Sequence, residues 1–379
     1  MTDTRKHIAI FVPSMRGGGA ERVMLTLANK FAERGHRVDL VLAKAEGPYL
    51  PDMSDKVRLV DLNVPRVLRS LWPLMRYLRR ERPDAMLSAL NYANVIAILA
   101  WKLARVPTRL VVSEHTAVSR PLKGRTISIT RHLMKRLYPI ADKVVCVSGE
   151  IEKNMQRLIG VPPDKTVTIY NPVDIVKIEK IMQEPVSHPW VLSRTAPVIL
   201  AAGRLTEAKD YPTLLRAFKH LRDRRTARLI ILGQGEEESR LKALSEELGI
   251  SGDVDFAGFH DNPFAWMARC DVYVMSSAWE GFGNVLVEAM CTGVAVVSTD
   301  CNSGPREILE GGRWGRLVPV GDADALAQAM ADALNDPAPP DVRKRAGMFR
   351  SEKAVERYFE LLTGERLCAR VNSTFLYFS

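Results

Sequence analysis

Two glutamates eight residues apart, Glu280 and Glu288, bracket the run Gly281-Phe282-Gly283-Asn284-Val285. The glycines let backbone come close to a ligand, and the free amides at the start of the helical pattern that follows Asn284 favour an anion. An ordinary strand–helix–strand unit with two surface glutamates would give the same local pattern, because Glu near a helix N-terminus is favourable anyway. Arg204 and Lys209, five residues apart, leave the end of another strand and bring two fixed positive charges. His115 stands in Glu114-His115-Thr116, just past the strand Leu110 to Ser113. The C-terminal end of a parallel strand is where α/β proteins place reacting groups, although a lone His is more often structural. After the first strand come Gly17-Gly18-Gly19-Ala20-Glu21, whose helix-start amides suit a phosphate or sugar hydroxyls. Their contiguity, and the lack of an acidic residue ending the second strand, speak against the spaced dinucleotide fingerprint.

The elements that must position these residues alternate. The first half reads as strand His7 to Val12, a helix with apolar positions 20, 23, 24, 27, 28 and 31 closed by Gly35, and strand Arg37 to Ala43. Strands Leu110 to Ser113, Lys143 to Val147 and Thr166 to Tyr170 follow, the last running into a turn at Asn171-Pro172-Val173-Asp174. Residues 182–197 hold three prolines without periodicity and read as an interdomain linker. The alternation restarts with Val198 to Ala202, Arg228 to Leu232, Val254 to Phe256, Val272 to Met275 and Val294 to Ser298. A strand near Leu317, a helix to Leu334, a Pro-rich break at 337–340 and a final helix to about Leu362 close the chain. Such alternation predicts parallel sheets with ligands at the strand C-termini.

A chain of 379 residues is long enough for two cores, and 46% apolar with 26% charged residues is a soluble globular composition. Five cysteines show no metal-type pairing, which points to reduced thiols in a cytoplasmic compartment. The N-terminus enters a strand directly, with too little apolar length for a signal peptide, and the longest apolar patch, Val95 to Trp101, is far short of a membrane span. The net charge of +10 is uneven: residues 1–180 carry 31 Lys+Arg against 17 Asp+Glu, and residues 181–379 carry 23 against 27. The basic half therefore faces something acidic. No nucleic-acid recognition motif accompanies it, so no nucleic-acid partner is expected, and an anionic membrane surface or glycolipid fits better. Residues 66–82 combine six arginines with leucines and Trp72, and Arg120 to Arg136 is a second basic stretch. Each is a candidate membrane-facing amphipathic segment, or a solvated helix face packing its leucines inward. The triplets Asp253-Val254-Asp255 and Asp322-Ala323-Asp324 start a strand and cap a helix, so no metal site is expected from them.

Taken together, Glu280-x7-Glu288 with Gly-Phe-Gly between, Arg204 and Lys209 after Gly-Arg-Leu, the N-terminal glycine loop and His115 after its strand resemble retaining family 4 glycosyltransferases of the GT-B fold. The segments GPREIL and GRLVPVGD are similar to the branch containing bacterial lipopolysaccharide-core, capsule and exopolysaccharide transferases. One departure is Glu114-His115-Thr116, where many relatives have His followed by Asp. The resemblance implies two Rossmann-like α/β domains facing each other across a cleft: residues 1–182 for the acceptor and 195–338 for the nucleotide sugar. Residues 341–379 would cross back onto the first domain. It implies donor contacts from Gly18, Gly19, Arg204, Lys209, Gly283, Asn284, Val285 and Glu288, with His115 and Glu280 as catalytic residues and neither metal nor cofactor. Arg204, Lys209 and helix-start amides would stabilise a departing nucleoside diphosphate. Glu288 would hold the ribose, and Glu280 the donor sugar. The expected reaction moves a hexose or N-acetylhexosamine, with retention, from a UDP-sugar to a glycolipid or saccharide acceptor at the inner face of the cell membrane. A GT-B-fold sugar-nucleotide epimerase and a non-catalytic nucleotide-binding protein are the alternatives.

Overall fold

In a computed structural model the described chain comprises residues 5–16, 18–116 and 125–365. Gly17, Arg120 and Lys123, and the tail 366–379, lie outside the described residues.

Thirteen described strands form two sheets. In the first, β1 (His7–Val12), β2 (Arg37–Leu42), β3 (Val57–Asp61), β4 (Ala85–Ala89), β5 (Arg109–Glu114), β6 (Lys143–Cys146) and β7 (Thr166–Thr168) lie in the order β3-β2-β1-β4-β5-β6-β7. In the second, β8 (Val198–Ala202), β9 (Arg228–Leu232), β10 (Val254–Gly258), β11 (Val272–Met275), β12 (Ala295–Thr299) and β13 (Arg316–Val318) lie in the order β10-β9-β8-β11-β12-β13. Both sheets are parallel and doubly wound: in each the order reverses beside the first strand, at β1/β4 and at β8/β11. Strands buried on both faces read as unbroken apolar runs, and β1 (HIAIFV) and β8 (VILAA) do. Ile199, Leu214, Phe218, Leu229, Ile231, Val274 and Met330 knit the core on one face of the second sheet.

Contacts divide the chain into two compact units. One holds residues 5–113, 140–144 and 352–365; the other holds 114–116, 125–139 and 145–351. In the first unit the final helix, Ser351–Thr363, is tied to β5: Arg109 Nε donates to the Leu361 carbonyl at 2.6 Å, and the Ser113 and Tyr358 hydroxyls lie 3.1 Å apart. Phe359 of that helix packs against Phe31 and stacks on His36. The buried Asp39 on β2 takes hydrogen bonds from Tyr77 (2.5 Å), Arg58 Nε (2.8 Å) and His7 (2.8 Å), which hold its carboxyl well below the usual range against the opposing cost of burial.

Four features depart from the reading of the sequence. Strands β3 and β4 and the helix Asn91–Ala104 carry no mark in that reading; β4 (AMLSA) has no β-branched residue to announce it. The segment 182–197 contains a short helix, Pro189–Ser193, capped by His188, whose ring accepts from Trp190 N–H. The turn expected over 171–174 is confined to its end: Val173 bridges to Arg350, the Ile175 N–H donates back to the Val173 carbonyl at 3.0 Å around Asp174, and the Asp174 carboxylate caps the helix Ile175–Ile181 by accepting from Lys177 N–H. Pro172 keeps Asn171 out of the turn, because the residue before a proline is driven out of helical geometry. Strand β7 stops at Thr168, two residues short of Tyr170.

Candidate active site

The β8/β11 reversal places the loops after these two strands side by side, and both carry expected site residues. Gly203-Arg204-Leu205 leaves β8 with Gly203 at φ +153°. It is braced by Tyr211 and Tyr273, whose hydroxyls donate to the Gly203 and Ala202 carbonyls at 3.1 and 3.3 Å, and by the Leu205 N–H, which donates to the Gln234 carbonyl at 2.9 Å. A side chain at Gly233 or Gly235 would strike the backbone at Gly203 or Leu205, so these glycines set the close approach of the two loops. The Arg204 side chain is exposed and forms no ion pair among the described residues.

Lys209 and Glu280, 71 residues apart in sequence, meet at 2.5 Å. The Glu280 carboxylate also accepts from the Ser277 hydroxyl at 2.7 Å, and its backbone carbonyl accepts from the Ser303 hydroxyl at 2.7 Å. From the β8 side, Lys209 is fixed by its own carbonyl, which accepts from Ser276 Oγ at 2.7 Å, and by the Ala278 N–H bond to the Ala208 carbonyl at 2.9 Å. Three hydrogen bonds thus lock the two loops into one assembly around a charge pair, and the Ser277 and Ser303 hydroxyls hold Glu280 from within its own loop and from the segment after β12, so Glu280 is aimed before any ligand arrives.

Past Glu280 every residue is gripped in turn. Gly281 lies so close to the His115 carbonyl oxygen that a Cβ there would overlap it. Phe282, buried, stacks on Tyr170 at 5.4 Å and meets Phe349 edge-on at 5.6 Å. Gly283 adopts φ +93° and caps the helix Asn284–Thr292, which Gly293 closes at φ +86°. The Asn284 carbonyl oxygen Oδ1 accepts from Asn171 Nδ2 at 2.8 Å. Asn284 and Glu288, four apart, share one face of that helix, next to the free first-turn amides that include Val285. Gly304, at φ +98°, packs its Cα against the Phe282 carbonyl, which accounts for the glycine in GPREIL.

His115 is partly buried, and desolvation lowers its pKa to about 4, so its imidazole is neutral near pH 7. Glu114 beside it is fully buried. Burial raises its carboxyl to about 7, against the pull of the Tyr138 hydroxyl (2.9 Å) and the Thr116 N–H (3.1 Å). These bonds hold the 114–116 corner from which the His115 carbonyl meets the glycine loop.

The structure therefore gathers His115, Arg204, Lys209, Gly283, Asn284, Val285 and Glu288 with Glu280 in one unit. Gly18 and Gly19 belong to the other, where Gly18 caps the helix Gly19–Glu33 and the Glu21 carboxylate folds back over it. Ser277, Ser303, Tyr170, Asn171 and Phe349 also build the loop's support and carry no mark in the sequence reading. The Asp253 carboxylate is engaged by Arg222 (2.5 Å) and Arg228, and Asp322 caps the helix Ala323–Leu334.

Comparison with known proteins fits this arrangement. A model of glycosyl transferases group 1 matches residues 184–349, and a model of glycosyltransferase family 4 matches residues 17–177. The chain is 30% identical over 345 residues to a Campylobacter jejuni N-acetylgalactosamine-N,N'-diacetylbacillosaminyl-diphospho-undecaprenol 4-alpha-N-acetylgalactosaminyltransferase, covering 87% of this chain and 91% of that one. It is 27% identical over 371 residues to the Rhizobium meliloti lipopolysaccharide core biosynthesis glycosyltransferase LpsE, covering 92% and 97%. The fold matches that of Anabaena HepE, solved in complex with UDP and glucose, with a TM-score of 0.78 at 23% identity over 95% of this chain and 100% of that one. With paired α/β sheets of GT-B type, a fixed Lys209–Glu280 pair at a switch point and both family models matched in order, this chain belongs to the family 4, group 1 glycosyltransferases.

Proposed function

We propose that the protein transfers a hexose or N-acetylhexosamine from a UDP-sugar to a lipid-linked or lipopolysaccharide-type saccharide precursor, with retention of configuration and without a metal ion. The observation that carries this reading is the Lys209–Glu280 pair, whose lysine shares its loop with Arg204 and whose glutamate stands four residues ahead of the helix Asn284–Thr292. A carboxylate for sugar hydroxyls and fixed cations with backbone amides for a diphosphate stand together there. Arg204, Lys209 and the amides near Gly283, Asn284 and Val285 take up the charge that develops on the departing nucleoside diphosphate. Glu280 binds the donor sugar, Glu288 the ribose, and the neutral His115 imidazole and the carbonyl at that corner face the sugar. We read residues 195–338 as serving the donor and residues 1–182 as serving the acceptor, with Gly18 and Gly19 of the first loop as donor contacts. Residues 352–365 return to the first unit.

Support for a lipid-linked acceptor comes from the names of the relatives and from the basic first half. No described helix is long and apolar enough to cross a membrane. We place the protein on the inner face of the cell membrane, held by charge and by exposed apolar side chains. The test incubates purified protein with a panel of UDP-hexoses and UDP-N-acetylhexosamines, with and without a polyprenyl-diphosphate-linked saccharide, and assigns the product anomer by NMR. Release of UDP only when acceptor is present, with an axial donor yielding an axial product, is expected. Conversion of donor to an epimer in water, or inversion at the anomeric carbon, refutes it.

A further inference from the structure

Asn171 is 4% exposed, and one end of its amide is spent on a single bond, Nδ2–H to Asn284 Oδ1 at 2.8 Å. The other end, Oδ1, is buried with no hydrogen-bond partner among the described residues. An unpaired buried carbonyl oxygen costs stability, so the fold alone would be better served by an apolar side chain here. What the residue does instead is orient its partner. Asn284 is the first residue of its helix, four positions before Glu288 on the same face. With its carbonyl end engaged by Asn171, the end left to act is the amide –NH2, a donor, at a terminus whose backbone groups are also donors. Turned the other way, the same side chain would set an acceptor oxygen among groups that attract anions. Tyr170, the preceding residue, stacks on Phe282, so consecutive residues grip the loop at Phe282 and at Asn284.

We propose that Asn171 is a positioning residue for the donor's diphosphate: it fixes the Asn284 amide with its N–H end toward the anion-binding terminus of the helix. This rests on reading that terminus as part of the donor site. The test is a double-mutant cycle of Asn171→Ala, Asn284→Ala and the double variant, measuring binding of UDP and of uridine by calorimetry. Losing one oriented donor to a charged phosphate is expected to weaken UDP about tenfold or more, with uridine unchanged. The double variant is expected to match Asn284→Ala, because Asn171 acts through it. Asn171→Asp demands the opposite face of the Asn284 amide and adds negative charge, so it should lose more UDP affinity than Asn171→Ala. Asn171→Ser replaces the alanine variant in the cycle if that chain does not fold. Wild-type UDP affinity in the Asn171 variants, equal losses for UDP and uridine, or strictly additive losses overturn the inference while the donor site stands. Failure of the wild-type chain to bind UDP overturns the donor-site reading and this inference with it.

Discussion

At the scale of single residues, Lys209 has two tasks, because the ammonium that would meet a diphosphate also holds Glu280. Lys209→Ala should therefore cost more turnover than Arg204→Ala, whose side chain is exposed and forms no described ion pair. Loss of a preorganised charge-stabilising group lowers kcat by about 10²–10³. Arg204→Ala should melt as wild type does, Lys209→Ala lower because Glu280 loses its cation, and near-wild-type kcat in both would remove these residues from the site. Glu114 makes a second prediction, on stability. Its folded-state pKa of about 7 lies above its ordinary value of 4.5, so the fold prefers the neutral carboxyl. The associated stability is complete below pH 4.5 and is lost as pH rises through about 7. Glu114→Gln removes that dependence. Relative to wild type it should gain on the order of 3 kcal/mol between pH 4.5 and pH 8, by the conversion of pKa shift to free energy, read from denaturant melts at both pH values. Parallel pH dependences in the two proteins would show that this carboxyl is not pushed up.

At the scale of elements, the helix Leu71–Glu81 carries features of both readings that its sequence offered. Leu74, Met75, Tyr77 and Leu78 face inward, as an ordinary solvated helix would have it, yet Trp72 is 58% exposed and Leu68, just ahead, is 73% exposed. Not all the arginines are equivalent. Arg79 donates to the Leu103 and Ala104 carbonyls and so serves the fold, and Arg80, exposed, pairs with its neighbour Glu81, whereas Arg66, Arg69 and Arg76 are exposed with no described ion pair. The face proposed for the membrane is thus Arg66, Leu68, Arg69, Trp72 and Arg76. Each exposed arginine near an anionic leaflet contributes about 1 kcal/mol, screened by salt. Changing the three arginines to Gln and Trp72 to Ala should release the protein from anionic vesicles in a sedimentation assay at 0.1 M salt and leave turnover of a soluble acceptor analogue unchanged. Arg79→Gln alone should lower the melting temperature instead. In the second basic stretch, Arg131, Lys135 and Arg136 are exposed on the helix Arg125–Leu137 beside Ile129, which is 60% exposed, and would add to such a surface.

At the scale of the whole molecule, the chemistry proposed here draws its positive charge from side chains and helix amides. The acidic triplets are spent on structure, Asp253 on two arginines and Asp322 on a helix cap, and no carboxylate–His–Cys cluster fit for a metal occurs among the described residues. Turnover in excess EDTA should therefore match turnover without it. Loss of activity restored by magnesium or manganese would show that the charge on the diphosphate is met by an ion and not by Arg204 and Lys209.

What the sequence determined by itself is whatever lies in local patterning. The strand–helix alternation, the glycine-closed helices and the spacing of Glu280 and Glu288 are readable because each is set by neighbours a few residues away. The sequence also fixed which residue types were present for the site. Only the tertiary structure decided the pairings: Lys209, rather than Arg204, on Glu280; the His115 carbonyl against Gly281; Tyr170 under Phe282; and Asn171 on Asn284, 113 residues away. These depend on strand order, since β8 and β11 become neighbours only when the sheet reverses between them, and nothing in either stretch specifies the other. The 171–174 segment follows the same logic. Its composition suits a turn, and the chain does turn at Asp174, but Pro172 keeps Asn171 out of helical geometry and the bridge to Arg350 anchors Val173, which leaves Tyr170 and Asn171 against the glycine loop.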